Sequence, residues 1–228
     1  MIKTVFLDID DTLLDFHKAE ALAIRQTFIE LGVEPTDELI QLYSGINLSQ
    51  WKLLEKGEIT RAELLTRRFD ILYSQIGLDI SSQKTQSLYE ENLSHGAYFL
   101  DGAEELLQAL CGKYELYITS NGTAYVQNGR IKISGMAKYF KDIFISELVG
   151  FDKPSKAFFD ACFAKIPGFE KDKSIVIGDS LTSDIQGGIN AGIKTCWFNP
   201  HRAPQNPEIP ADYEIHELSE IPALLERI

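Results

Sequence analysis

The chain has 228 residues, of which 44% are hydrophobic and 25% charged, ordinary values for a soluble protein with room for one large core or two unequal ones. Its formal net charge of −12 repels nucleic-acid backbones and anionic membrane surfaces, which argues against either as a partner. No apolar run approaches bilayer length and no basic, apolar, small-residue leader opens the chain, so the expectation is a cytoplasmic protein.

The first predicted element is the apolar run Val5-Phe6-Leu7, a buried strand that ends abruptly in Asp8-Ile9-Asp10-Asp11-Thr12. If the extended backbone persists one more pleat, Asp8 and Asp10 share a side and Ile9 returns to the core. Two carboxylates so close repel, which a shared proton or a hard divalent cation such as Mg²⁺ relieves. Taken alone, the same residues also suit an acidic turn closing a strand.

From Phe16 to about Leu93 the spacing predicts helices and no strand. Lys18 to Leu31, Asp37 to Leu54, Arg61 to Ile76 and Ser82 to Leu93 carry apolar residues at helical intervals, separated by Gly32, Gly57 and Gly77. Thr36 with Asp37, Thr60 and Ser81 read as helix starts. Asn47 is a candidate for hydrogen bonding to a base or sugar, and Trp51 for stacking on a ring or for core packing. Arg67 and Arg68 read as members of surface or structural ion pairs.

Beyond Gly102 the pattern alternates. Helix Ala103 to Cys111 precedes strand Leu116 to Thr119, helix Tyr125 to Met136 precedes strand Ile143 to Ile145, and helix Lys156 to Lys165 precedes strand Ser174 to Ile177. Helix Ser183 to Ala191 then leads into strand Thr195 to Phe198. Alternation of this kind implies an α/β fold, a Rossmann-like parallel sheet flanked by helices, with ligands at the C-terminal strand edge. The first strand must join that sheet, so residues 1–15 and 94–228 form the predicted core and 16–93 an inserted helical domain. Pro200 to Pro210 is a proline-rich surface connection, Tyr213 to His216 a short edge strand, and Ile221 to Ile228 a closing helix.

Three later strand tips carry polar residues. Ser120, Asn121 and Gly122 offer a hydroxyl and main-chain amides ahead of a helix, a setting that suits phosphoryl oxygens or an ordinary cap. Lys153 precedes Pro154 and the helix-capping Ser155, so its ammonium sits where it can neutralise a phosphoryl group or Asp8. Gly178 permits a tight departure of the fourth strand, with Asp179 at its tip and Asp184 in the next helical turn. Cys111, Cys162 and Cys196 are odd in number and lack C-x-x-C spacing, so they read as buried, reduced thiols. The four histidines do not cluster to suggest a zinc site.

D-x-D-x-T at Asp8, Asp10 and Thr12, the serine at Ser120, Lys153-Pro154, and G-D-x-x-x-x-D from Gly178 to Asp184 together resemble the haloacid dehalogenase superfamily, with an insertion like that of its C1-capped members. That resemblance implies a phosphatase in which Asp8 is the nucleophile and Asp10 the general acid and base. Thr12, Ser120, Asn121 and Lys153 would serve the substrate, and Asp8, Asp10, Asp179 and Asp184 would hold Mg²⁺. Members that expel halide need no proton and lack the second aspartate, so Asp10 favours phosphate esters. The segments Ile46 to Trp51, Glu55 to Ile59 and Arg67 to Phe69 resemble bacterial pyrimidine 5′-nucleotidases, which implies a nucleoside monophosphate substrate, with Asn47 and Trp51 at the leaving group. Sugar phosphates, phosphomutase chemistry and a noncatalytic phosphoryl-binding role stay open, as does a monomer or a homodimer.

Overall fold

In the computed structural model, which describes residues 1–228, six strands pair in parallel into one sheet. They are β1 (Thr4–Leu7), β2 (Glu115–Ser120), β3 (Asp142–Ile145), β4 (Ser174–Gly178), β5 (Lys194–Phe198) and β6 (Tyr213–Ile215), in the spatial order β3-β2-β1-β4-β5-β6. The first strand therefore lies at the centre, hydrogen-bonded to β2 and β4, and all four of its residues are buried. Strand order reverses at β1, so the crevice beyond its carboxyl end is where an open parallel sheet takes a ligand.

Helices cover both faces, as a parallel sheet buried on two sides requires. On one face Val5, Leu7, Ile118 and Ile175 pack with α5 (Ala103–Leu110) and α10 (Ile221–Arg227). On the other, Phe6, Tyr117, Phe144 and Val176 meet Phe158, Phe159 and Phe163 of α8 (Lys156–Phe163). Ile9 is fully buried in the first of these clusters, as the strand alternation predicts.

Between β1 and α5 lie α1 (Phe16–Glu30), α2 (Asp37–Glu55), α3 (Arg61–Ile76) and α4 (Ser82–Ser94), with no strand among them. They bury a core of their own in which Tyr43 stacks on Phe69 at 5.3 Å and Tyr89 meets both rings. The predicted starts hold: Thr36, Thr60 and Ser81 each accept from the backbone N–H three residues on, and Glu63 completes a capping box at Thr60.

Several predicted boundaries move. The helix expected from Tyr125 to Met136 is α6 (Ala124–Ser134), followed by a tight turn over Met136–Tyr139. A four-residue helix, α7 (Ser146–Val149), is too short to leave a periodic signal. The helix expected from Ser183 begins as a wide turn over Leu181–Ile185, in which the Ile185 N–H bonds the Ser180 carbonyl at 3.2 Å, before α9 (Gln186–Ala191). Cys111 is exposed, contrary to expectation, because it follows α5 into a surface turn; Cys162 and Cys196 are buried, and burial pushes both thiols up to about 12. No helix is long and apolar enough to cross a membrane.

Candidate active site

Asp8 extends β1 by one residue, its N–H bonded to the Ile177 carbonyl at 3.1 Å, so its carboxylate emerges where the neighbouring strands end. The chain then reverses through Asp11, held at φ 57°, a left-handed conformation that a short polar side chain tolerates. Asp11 Oδ1 accepts from the Phe16 and His17 N–H groups, 2.8 and 3.3 Å away, which fixes the start of α1.

Lys153 arrives from the loop between α7 and α8. Its ammonium donates to Asp8 Oδ1 at 2.6 Å, Asp184 Oδ1 at 2.7 Å and the Thr119 carbonyl at 2.8 Å, and it is only 2% exposed. Asn121 places it there: Asn121 Oδ1 accepts from the Lys153 N–H and Nδ2 donates to its carbonyl, both at 2.8 Å. Both ends of the Asn121 side-chain amide thus grip the backbone of Lys153, which leaves its main-chain N–H as the group that can serve a ligand.

Asp184 lies against the end of β4, its Oδ2 accepting from the Ser180 N–H at 3.2 Å. Only glycine permits this: a Cβ on Gly178 would sit 2.2 Å from Asp184 Cγ. The wide turn is the local device that directs Asp184 back to the strand tip, in keeping with the use of such turns at functional sites. Thr12 needs a correction. It is fully buried and lies outside the cavity, with Oγ1 donating to Asp179 Oδ1 at 3.3 Å and accepting from the Asp179 N–H at 3.1 Å. It ties the β1 turn to the β4 tip instead of facing a ligand.

Oxygens of Asp8, Asp179 and Asp184 all lie within 4.8 Å of one another, and the one ammonium at the cluster pairs with Asp8 and Asp184. Burial pushes the Asp8 carboxyl up to about 8, with Lys153 opposing and Asp184 and Asp10 adding to the rise. Burial likewise holds Asp179 well above the usual carboxylate range, with Asp184 and Asp8 contributing. Burial alone would lower the Lys153 ammonium, but Asp184 and Asp8 outweigh it and leave it above the ordinary lysine value. Three hard oxygen donors sharing too little positive charge are what a small divalent cation fits.

Above the carboxylates is a cavity of roughly 230 Å³ roofed by the helical block, lined by Asp8, Asp10, Asn121, Gly122 and Lys153 below and by Asn47, Trp51 and Arg68 above. Ser120 is buried beneath it, with Oγ accepting from the Gly122 N–H and from Gln127 Nε2. Trp51 is half-buried, with the Arg61 guanidinium 5.6 Å from its ring. Asn47 lines the wall, but Glu20 Oε1 accepts from its Nδ2 and its Oδ1 accepts from Arg68 Nη1, both at 2.6 Å. Arg68 forms no ion pair, contrary to expectation; it is buried between Asn47 and Gln86, while Arg67 is exposed.

Residues 2–192 match the haloacid dehalogenase-like hydrolase family. The chain belongs to that family. It is 41% identical to the HAD-hydrolase YfnB of Bacillus subtilis, covering 96% of this chain and 93% of that one. It is 38% identical to the pyrimidine 5′-nucleotidase PynA of Streptococcus pneumoniae, with 96% and 93% covered, and 32% identical to the pyrimidine 5′-nucleotidase YjjG of Escherichia coli, with 97% and 96% covered. The crystal structure of YfnB bound to magnesium, described as revealing interdomain movement, superposes with a TM-score of 0.94 at 40% identity over 98% of both chains. This hydrolase is thus an enzyme of the phosphatase kind.

Sequence patterns did not point to three further parts of the hydrolase site. Arg130 and Gln127 of α6 both hold the Asp10 carboxylate. Arg61 spans from α3 to the Asn121 carbonyl at 2.8 Å, to Ser146 Oγ at 2.5 Å and to Asp152. Lys52 and Glu55 of α2 meet Thr182 Oγ1 at 2.6 and 2.7 Å. Glutamine and arginine four positions or fewer apart on a helix are the sole sequence trace of the first, and most such pairs face solvent.

Proposed function

We propose that this hydrolase is a Mg²⁺-dependent 5′-nucleotidase that hydrolyses pyrimidine nucleoside monophosphates through an aspartyl-phosphate at Asp8. The observation that carries the chemistry is the clustering of Asp8, Asp179 and Asp184, from the end of β1, the end of β4 and the turn after it, with Lys153 from a distant loop bonded to Asp8 and Asp184. The substrate class draws support from the two nucleotidase relatives and from the cavity under Trp51.

In the first step Asp8 Oδ attacks phosphorus in line with the ester oxygen, the P–O ester bond breaks, and Asp10 gives the departing oxygen its proton. In the second, a water loses its proton to Asp10 and attacks phosphorus, and cleavage of the P–O bond to Asp8 releases phosphate and restores the carboxylate. The Lys153 ammonium, the Ser120 hydroxyl and the main-chain amide at Asn121 take the phosphoryl oxygens, supplying the preorganised charge on which phosphoryl transfer mostly depends, while the Gly122 N–H is held by Ser120 Oγ. Asp8, Asp179, Asp184 and the Asp10 main-chain carbonyl would hold Mg²⁺. The ion, when bound, favours ionised carboxylates and draws charge from the phosphoryl group.

Residues 1–15 and 94–228 form the catalytic core, and 16–93 a cap that shapes the leaving-group pocket and excludes water. Within it Trp51 offers a face for a base. Asn47, held between Glu20 and Arg68, presents its remaining N–H. The protein works in the cytoplasm, in keeping with its free thiols.

A panel of phosphate monoesters with Mg²⁺ tests this. UMP, dUMP and dTMP are expected to outrun sugar phosphates, and Asp8→Asn to release no phosphate. Absence of hydrolysis of all three nucleotides rejects the substrate class, and equal rates for Asp8→Asn and the wild type reject the nucleophile.

A further inference from the structure

The Asp10 carboxylate, 29% exposed at a loop, is gripped from one side by a single helix. Arg130 Nη1 of α6 pairs with Asp10 Oδ1, and Gln127, one turn earlier, donates from Nε2 to Oδ2 at 2.7 Å. A different donor on each oxygen fixes both rotations of the aspartate side chain. The two donors also brace one another, Arg130 Nη1 donating to Gln127 Oε1 at 3.1 Å.

The guanidinium reaches further. It is fully buried, and its Nε donates to the Gly96 carbonyl at 2.8 Å, while its centre lies 5.9 Å from the Phe16 ring. Phe16 begins α1 and Gly96 follows α4, so they mark the two places where the chain passes between core and cap. Close packing makes the reach possible: a Cβ on Gly129 would come within 2.7 Å of the Ser94 carbonyl oxygen, so α6 can press against the end of α4 only with glycine there. A lysine would have to reach both acceptors from one nitrogen, whereas the guanidinium sets Nε on Gly96 and Nη1 on Asp10.

We propose that Arg130, braced by Gln127, is a positioning residue that makes the alignment of Asp10 depend on the seating of the cap. This rests on Asp10 being the acid and base of the reaction. With both crossings in place the carboxylate faces the ester oxygen. When the cap swings and Gly96 or Phe16 shifts, the guanidinium is drawn off and Asp10 is left free to rotate, so proton transfer is confined to the water-excluded arrangement. A misplacement of about 1 Å in such a group costs on the order of 10²-fold in rate.

The test is a set of double-mutant cycles on hydrolysis of UMP and p-nitrophenyl phosphate. Gln127→Leu and Arg130→Lys are expected to lower kcat by about 10- to 100-fold with KM little changed, the signature of an interaction made in the transition state. In an Asp10→Asn background the same substitutions should change kcat by less than about twofold, because the group they act through is gone. Losses that persist undiminished beside Asp10→Asn, or a raised KM at unchanged kcat, overturn the proposal and leave both residues as packing. Arg130→Met extends the series if it folds, and Gln127→Leu decides the matter if it does not. The underlying reaction is tested separately by Asp8→Asn: activity surviving there removes the aspartyl-phosphate itself, whereas its loss together with additive Gln127 and Asp10 effects removes only the Arg130 proposal.

Discussion

Replacing Lys153 by methionine keeps most of the side-chain volume and removes the one ammonium shared by Asp8 and Asp184. Breaking a buried ion pair by deleting one partner costs about 3–5 kcal/mol, because the other charge is stranded. Burial raises the Asp8 carboxyl against the pull of Lys153, so in metal-free protein protonation of Asp8 relieves part of that cost. The loss then belongs at the lower end, about 3 kcal/mol. At this chain length, with about 2–4 °C per kcal/mol, that is a fall in Tm of about 6–12 °C in chelator.

The sign of the pH dependence follows from the same carboxylate. Its folded value lies above the unfolded one, so the folded state binds more protons between about pH 4 and about 8, and stability contributed by protonated Asp8 is lost as pH rises through that window. Without Lys153 the folded value of Asp8 rises further, so the gap between variant and wild type should widen by up to about 1.4 kcal/mol per pH unit once pH passes about 8, where only the variant still holds the extra proton. Saturating Mg²⁺ supplies the missing positive charge and should narrow the gap. Phosphate release should nevertheless fall by about 10²–10³-fold, since a donor to the transferring group has gone. Thermal denaturation of both proteins with chelator and with Mg²⁺, at about pH 6 and about pH 9, makes the comparison. A Tm loss under about 2 °C in chelator, or a gap that stays constant with pH, refutes the assignment of Lys153 as counter-ion to this cluster.

Asp10→Asn should slow hydrolysis of nucleotide esters by about 10²–10⁴-fold while leaving Mg²⁺ binding intact, measured by steady-state kinetics beside calorimetry. Because binding a cation displaces protons from Asp8 and Asp179, both held high by burial, the stabilisation conferred by Mg²⁺ should grow as pH rises from about 5 to about 8; a thermal shift independent of pH would place the ion elsewhere. Gly178→Ala forces a methyl to within 2.2 Å of Asp184 Cγ, so it should weaken Mg²⁺ binding and activity by at least about 10-fold, read by isothermal titration. Arg61→Ala removes the bonds from α3 to Asn121, Ser146 and Asp152, and the expected result is a raised KM and faster proteolysis in the segment around Gly57, with Tm changed by only a few degrees.

The fold was legible because its signals are local. Thr36, Thr60 and Ser81 announce helices through hydroxyls that bond three residues on, and the Val5-Phe6-Leu7 and Ile175-Val176-Ile177 runs are buried on both faces as their composition requires. The carboxylate and lysine positions were legible for a related reason. Each stands at the end of a strand or the start of a helix, and parallel topology brings those ends to one edge whatever the intervening sequence does. The departures lie where packing overrides periodicity, as at the wide turn of Leu181–Ile185, whose geometry answers to Asp184 and Gly178 together.

What sequence did not disclose is how the helical insertion meets the site. Asn47 and Arg68 carry the same signal as any polar residue on a helix, yet one network joins them to Glu20, Ser44 and Gln86 across four helices. Glu20 and Arg68 never touch; Asn47 stands between them, its amide oxygen taking the guanidinium and its nitrogen serving the carboxylate. A buried charge must find such partners or change protonation, so the positions of α1, α2, α3 and α4 are fixed relative to one another by groups that also line the cavity. The cavity wall and the arrangement of the four helices therefore depend on the same residues. Substitution of Asn47 should disturb both at once, whereas Trp51, half-buried on the cavity wall and outside that hydrogen-bond network, should change the fit while the helices stay where they are.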